Sequence, residues 1–515
     1  MQLVAYGAQD VYLSGSPEVT FFKVVYRRHT NFSVEPIEQT FNGTCDFGKT
    51  VTCEVNRNGD LVTKMYLYLE LDATEAAEAG KDWGYVRRLG HAAIDEAEVE
   101  VGGSQIDQHY GEWLNIWYEL THKTGQERGY EHMIGDIPAL TNVSTDAKPS
   151  HKLHIPFQFW FNRNNGLALP LIALQYHDVR IKLKLRPFRE LVNHTGTVPA
   201  AQSIADGYLL VDYVYLDAEE RKKFAQASHE YLIEQVQFTG AESLKNSTES
   251  YRLNFNHPSK CLIFCPKLGK YNDGSTYVDW AWDGDWEAAR ERVAKRVWLS
   301  KNASLTGSGS DLDEVMGGTD LSENSKPLVK AQLIFAGTVP SSSDTLASSL
   351  NNVVLLENNL TSAHLSQTVT EWSTGALTGV KSADLPKGFV VRDYTLYSTN
   401  ADGTGNPLQK ALLQLNGHDR FQERDGSYFN YVQPHQHWER TPADGVNSYS
   451  FALNPMEHQP SGTCNFSRID NTTLKLWINS TATSALGSNS RMFIFCINYN
   501  VFRVMSGMGG LAYSN

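Results

Sequence analysis

The chain has 515 residues, 41% hydrophobic and 20% charged, with a formal net charge of −13. That composition is that of a soluble globular protein with room for two large domains, each able to bury a core without staples. The acidic field works against wrapping bare nucleic acid, which needs a basic face. No run approaches the roughly 18 apolar residues of a membrane-spanning helix. MQLVAYGAQDVYLSG lacks the basic and apolar regions of a signal peptide, so synthesis in the cytosol is expected.

Aromatic residues make up 11% of the chain, and 39 Gly and 18 Pro supply frequent turns. Together they favour β structure. The six cysteines, Cys45, Cys53, Cys261, Cys265, Cys464 and Cys496, form no CxxC pair. Cys261 and Cys265 share one face of an expected strand but stand about 13 Å apart, beyond disulfide reach. Scattered reduced thiols are the expectation.

Residues 1–26 read as an arm, polar with scattered aromatics (Tyr6, Tyr12, Phe21, Phe22) and no clear period. From about residue 50 the pattern alternates. TVTCEV places Val51, Cys53 and Val55 on one face, and LVTKMYLYLEL does the same with Met65, Leu67, Leu69 and Leu71. Between them, Asn58-Gly59 predicts a hairpin. EWLNIWYEL (112–120) reads as a short helix. KLHIPFQFWF (152–161), VRIKLKL (179–185) and YLLVDYVYL (208–216) read as strands. DAEERKKFAQASHE (217–230) is charged, lacks β-branched residues and opens with Asp217 as an N-cap, which predicts a helix. Strand pattern resumes at YLIEQVQF (231–238) and KCLIFC (260–265).

Two long polar stretches follow, about 266–330 and 337–388, and read as excursions from a β scaffold. After 405, ALLQLNG, SYFNYVQP, VNSYSFALNP, TLKLWIN and RMFIFCINYNVFRVM (491–505) read as strands. The halves share a layout: HIPFQFWF, Gly166 and VRIKLKL in the first, YSFALNP, Gly462 and LKLWI in the second. This points to a duplicated β domain. Short strands punctuated by turns fit eight-stranded jelly rolls. The expected fold class is all-β: two consecutive jelly rolls, 27–217 and 231–515, joined by a helix at 218–230, with the insertions in the second.

The chemistry-bearing patterns fail on context. GTCDFGKT (43–50) matches the phosphate-binding loop G-x4-G-K-[ST] at Gly43, Gly48, Lys49 and Thr50. Such a loop needs its Lys and Thr at a helix N-terminus, whereas VTCEVNRNGDL continues with the period of a strand. His435 and His437, expected on a strand near His418 and His458, have no carboxylate or Cys at ligand spacing. Asp311, Asp313, Glu314 and Asp320 lack the spacing of a calcium loop. No catalytic, cofactor or metal residue is assigned, and the chain is expected not to be an enzyme. Asn302 and Asn359, in the excursions, are the most exposed of the N-x-[ST] candidates for glycosylation. Trp280, Trp282 and Trp286 could stack on sugars. They carry the alternative reading, a glycan- or receptor-binding β-sandwich acting through its second-domain loops.

The most particular stretches are FALNPMEHQPSGTCNFSRID (451–470), NGHDRFQERDGSYFNYVQP (416–434) and NYNVFRVMSGMGGLAYSN (498–515). With VAYGAQDVYLSGSPEVTFFKVVYRRHTNFSVE (4–35), GLALPLIALQYHDVRI (166–181), LDAEERKKFAQASHEYLIEQVQ (216–237) and LNFNHPSK (253–260), they resemble the major capsid proteins of nucleocytoplasmic large DNA viruses. The resemblance implies a double jelly roll. It implies homotrimeric, pseudo-hexameric capsomers that tile the icosahedral shell of a large double-stranded DNA virus, made and assembled in the host cytoplasm. Its implied partners are other copies of the chain, neighbouring capsomers, and minor capsid and penton proteins, with host-surface glycans or a receptor met through outward-pointing excursions. It implies no cofactor, no direct nucleic-acid contact and only an indirect relation to an inner viral membrane. The arm would lie under the trimer, and the corner at 454–470 would contribute to the trimer interface.

Overall fold

The computed structural model describes residues 7–17, 28–78, 81, 83–123, 125–141, 145–194, 199–269, 405–479 and 489–513. Among the described residues, ten strands make the first roll: β1 (Phe32–Thr40), β2 (Thr50–Glu54), β3 (Leu61–Leu71), β4 (Trp83–Tyr85), β5 (Ile94–Val101), β6 (Ser104–Tyr110), β7 (His151–Pro156), β8 (Val179–Leu185), β9 (Val192–His194) and β10 (Ile204–Leu216). Eight of them form two antiparallel sheets, β1-β10-β3-β7 and β2-β8-β5-β6, and β4 pairs with β9. The chain crosses from one sheet to the other at β1–β2 and again at β2–β3, as a jelly roll requires. One-sided alternation drives this. Met65, Leu67, Leu69 and Leu71 meet Val51, Cys53, Val55, Ile181, Leu183 and Val211 in one buried core.

The crossing corrects the hairpin expected at Asn58-Gly59. β2 pairs with β8 and β3 pairs with β10 and β7, so this turn is a corner between sheets. Gly59 is needed there for close approach: a Cβ would stand 2.8 Å from the Cβ of Tyr213.

The second roll contains β11 (His229–Phe238), β12 (Glu242–Ser243), β13 (Thr248–Arg252), β14 (Pro258–Lys267), β15 (Leu408–Leu415), β16 (His418–Asp419), β17 (Arg424–Asp425), β18 (Asn447–Ser450), β19 (Cys464–Asn465), β20 (Thr472–Ile478), β21 (Arg491–Met505) and β22 (Met508–Leu511). Its main sheets run β11-β21-β14-β18 and β13-β20-β15-β16. Position for position this repeats the first roll, with β11, β14, β18 and β21 standing where β1, β3, β7 and β10 stand. The corner from β18 to β20 is therefore the topological counterpart of the corner from β7 to β8. The excursions lie outside the described residues except at their start, where Pro266 and Lys267 still belong to β14.

Among the described residues, eight helices accompany the strands: α1 (Asp10–Ser14), α2 (Leu89–Ala93), α3 (Gly111–Thr121), α4 (Glu127–Ile134), α5 (Pro138–Thr141), α6 (Trp160–Arg163), α7 (Ala218–Gln226) and α8 (Gln433–His437). Two expected strands are corrected here. In KLHIPFQFWF only His151–Pro156 is strand, and Trp160 opens α6. Phe157, Phe159, Trp160 and Phe161 are all buried, which a strand with one solvent face cannot arrange. SYFNYVQP is helical, a π-helical turn at Tyr428–Val432 running into α8. Asn430 holds it inward by donating to the carbonyls of Ala443 and Val446, at 3.0 and 2.9 Å.

α7 lies between the rolls but is shorter than the 218–230 expected: it ends at Gln226, and His229 and Glu230 already belong to β11. The Asp217 carboxylate accepts from the amides of Glu219 (3.1 Å) and Glu220 (2.9 Å), and Phe224 packs on Leu61, Ala168 and Val214. Asp217→Ala removes the cap and is expected to cost about 1 kcal/mol. Denaturant titration read against the unmutated chain checks this, and an unchanged midpoint would remove the cap from the account.

Candidate assembly surfaces

α3 leaves β6 and lies on the outer face of the second roll. Trp113, Ile116, Trp117 and Leu120 meet Cys261, Ile263 and Cys265 of β14 and Phe493, Phe495 and Ile497 of β21. The ring centroids of Trp113 and Phe495 are 5.5 Å apart. β14 and β21 are thereby buried on both faces, which is why they read as unbroken apolar runs rather than alternating ones.

Polar groups fix the register of this junction. The amide of Val236 donates to Asp107 Oδ1 at 3.2 Å, and the side-chain amide of Gln235 donates to the Ile106 carbonyl. The Ala443 amide donates to Glu119 Oε2 at 3.2 Å, while Glu119 is also paired with Arg88. At the centre, Glu234 of β11 takes Arg163 of the first roll at 3.0 Å and Lys260 of β14 at 2.6 Å. Lys260 is 1% exposed. Burial opposes the charge on Glu234, but the two cations outweigh it and hold the carboxyl below its usual range. Burial likewise pulls the Lys260 ammonium below its usual range, with Glu234 opposing.

A cleft of about 430 Å³ opens beside this triad, where the two corners approach each other. Trp117, Trp160 and Arg163 line it from the first roll, Glu234, Met456 and His458 from the second. Arg163 stands 4.8 Å over the ring of Trp117. Arg163 and Glu234, one from each roll, thus pair across the cleft, an arrangement suited to holding two domains in register.

The patterns singled out in the sequence fall elsewhere. Thr50 opens β2 rather than a helix, and Lys49 lies 3.4 Å from Asp46. A phosphate would find no row of helix amides there. His435 and His437 sit in α8, not on a strand, and the His437 ring bonds the Leu453 carbonyl at 2.9 Å. Among the described residues, no group of three or more His, Cys, Asp or Glu could hold a metal. Burial pushes the Cys261 thiol up to about 12 and Cys265 higher still, so neither is a nucleophile at neutral pH. Asn302, Asn359, the acidic run 311–320 and Trp280, Trp282 and Trp286 lie outside the described residues. Sequence reading missed the triad. Its visible signal was a charge inside an apolar strand, at Glu234 in YLIEQVQF and Lys260 in SKCLIFC.

Comparison with known proteins decides what this architecture is for. Residues 220–510 match the family of large eukaryotic DNA virus major capsid proteins, and residues 20–217 match the major capsid protein N-terminus. The chain belongs to this family. It is 43% identical to the major capsid protein of Phaeocystis pouchetii virus and 40% identical to capsid protein 1 of Acanthamoeba polyphaga mimivirus, in each case over 100% of this chain and 99% of the relative. Its fold superposes on the quasi-atomic model of the PBCV-1 virus capsid with a TM-score of 0.62 at 31% identity, covering 96% of this chain and 100% of that one. This capsid protein is accordingly a structural component of the shell of a large DNA virus, built as a double jelly roll, and not an enzyme.

Proposed function

We propose that three copies of this capsid protein close into a ring whose six rolls form a pseudo-hexameric capsomer, and that these capsomers tile an icosahedral shell. The observation that carries this reading is the side-by-side pairing of two rolls with the same strand order in one chain. The contact between them is head-to-tail, one face of the first roll against a different face of the second. Contacts of that kind generate rings when the rotation closes. In this reading residues 1–26 form an arm on the inner side, 27–217 the first roll, 218–230 the bridge and 231–515 the second roll. The excursions point outward with Asn302 and Asn359. Minor capsid and penton proteins meet the capsomer from outside the ring, nucleic acid is not contacted directly, and assembly takes place in the host cytoplasm.

Native mass tests the ring. A trimer weighs about 173 kDa, three times the 57.6 kDa of one chain. A chain that stays monomeric at micromolar concentration would overturn the proposal. The glycan- or receptor-binding reading rests on residues outside the described ones, and among the described residues no observation favours it.

A further inference from the structure

The two rolls have the same sheets but not the same neighbours. In the second roll, the outer face of the central pair β14–β21 is covered by α3 within the chain. In the first roll, among the described residues, the outer face of the equivalent pair β3–β10 has no such helix along its middle, and α7 covers one end of it, at Leu61, Ala168 and Val214. β14 is buried at every position after Pro258, whereas β3 leaves Lys64 exposed and Tyr66 and Glu70 half-buried. The edge strand β1 adds Phe32 and Val34, 57% and 51% exposed.

The register places an aromatic row on both faces. In the second roll, Phe238, Phe495, Ile263 and Ser448 pair across the sheet, and Trp113 lands on this row. In the first roll, the corresponding row is Thr40, Tyr208, Tyr68 and His154. Tyr68 and Tyr208 stack with ring centroids 4.3 Å apart and planes 16° apart, and His154 stands edge-on to Tyr68 at 5.2 Å. One roll thus carries Phe and Ile under a permanent cover. The other carries Tyr208, half-buried, over Tyr68, 6% exposed, and tyrosine is favoured where a surface must be wet before assembly and apolar after it.

We propose that the outer face of β1-β10-β3-β7 is the seat of a second copy of this chain, whose 428–437 segment lands on the Tyr68–Tyr208 stack as α3 lands on Phe495. The proposal rests on the ring reading and assigns its interface. The 428–437 segment leads into β18 in the second roll, as α3 precedes β7 in the first. It exposes Val432 (41%) toward solvent. The contact inside the chain uses one seat and one knob, leaving one seat and one knob open per copy. Repeating the same head-to-tail contact between copies uses both and closes the ring. Pro36 in the middle of β1 supplies no N–H, which blunts that edge against strand addition and leaves the face as the route of docking.

Tyr208→Lys and Val432→Asp each alter a side chain at the surface, and Tyr176→Lys, at a position 75% exposed elsewhere, serves as the control. Native mass spectrometry and thermal melts are run on all four proteins at micromolar concentration. The expected result is a trimer for the unmutated chain and the control, and folded monomers for the two variants, each with one cooperative melt at a temperature lowered by the loss of the partner. In addition, a mixture of Tyr208→Cys chains and Val432→Cys chains is expected to give a covalent pair with a short bismaleimide, which neither chain gives alone. Trimeric variants and no mixed pair, with the unmutated chain trimeric, would overturn the proposal and leave the ring standing. A monomeric unmutated chain would overturn the ring and the proposal together.

Discussion

Glu234→Ala is expected to destabilise the capsid protein by about 3–5 kcal/mol, the cost of breaking a buried ion pair by removing one partner. Glu234 sits between Arg163 of one roll and Lys260 of the other. Without it two cations face each other, one of them 1% exposed. The double change Glu234→Leu with Lys260→Met should recover much of the loss, because replacing a buried pair by apolar residues of similar volume is often neutral. Denaturant titration of the three proteins measures this, and a single variant that loses less than about 1 kcal/mol would show the triad to be dispensable. The pH dependence has a definite sign. The carboxyl of Glu234 is held below its unfolded value, so its contribution is fully present above the unfolded pKa. It is lost as pH falls through the lower folded one. Acid should therefore loosen this junction in the unmutated chain and have less to remove in Glu234→Gln.

Trp113→Ala is expected to cost about 3–5 kcal/mol through lost burial and the cavity left behind. Trp113 is 1% exposed and packs on Trp117 and Phe495. The loss falls on the contact between the rolls rather than on either core. The expected signature is a first unfolding step at lower temperature, with binding of a hydrophobic dye as the Phe493–Phe495 face is uncovered. A single cooperative transition with no gain in dye binding would mean that the rolls hold together without α3.

Much of the scaffold was legible because one buried face imposes period two. β8 and β20 follow that rule along their whole length, and β3 follows it from Met65 to Leu71 on its inward face. The duplicated corner could be matched in sequence because Gly166 and Gly462 punctuate equivalent connections. Where tertiary context decided, sequence reading erred. Asn58-Gly59 carries a strong hairpin signal, but its flanking strands belong to opposite sheets, which no local pattern reveals. SYFNYVQP is aromatic enough for a strand. Yet Phe429 had to enter the core against Phe264 and Phe421, and Pro434 beside the start of α8 was the overlooked helix signal. The triad was visible only as isolated charges in apolar strands, since its members are 71 and 26 residues apart along the chain (Arg163 to Glu234 to Lys260).

The burial of β14 and β21 on both faces also orders events during synthesis. β21 pairs with β11 and β14 and is made after both. Until it is made, the sheet of the second roll has no centre, and the apolar stripe Cys261, Ile263 and Cys265 has no strand beside it on that side. The first roll is complete by Leu216 and already presents α3. It therefore offers a nascent second roll a dry surface before that roll can close its own sheet, which suits the domain-by-domain folding of long chains. A ribosome that stops before residue 491 leaves a chain with a finished first roll and an exposed, unclosable second one. Such a chain is expected to be cleaved by proteases in its open second roll before it can be built into a shell.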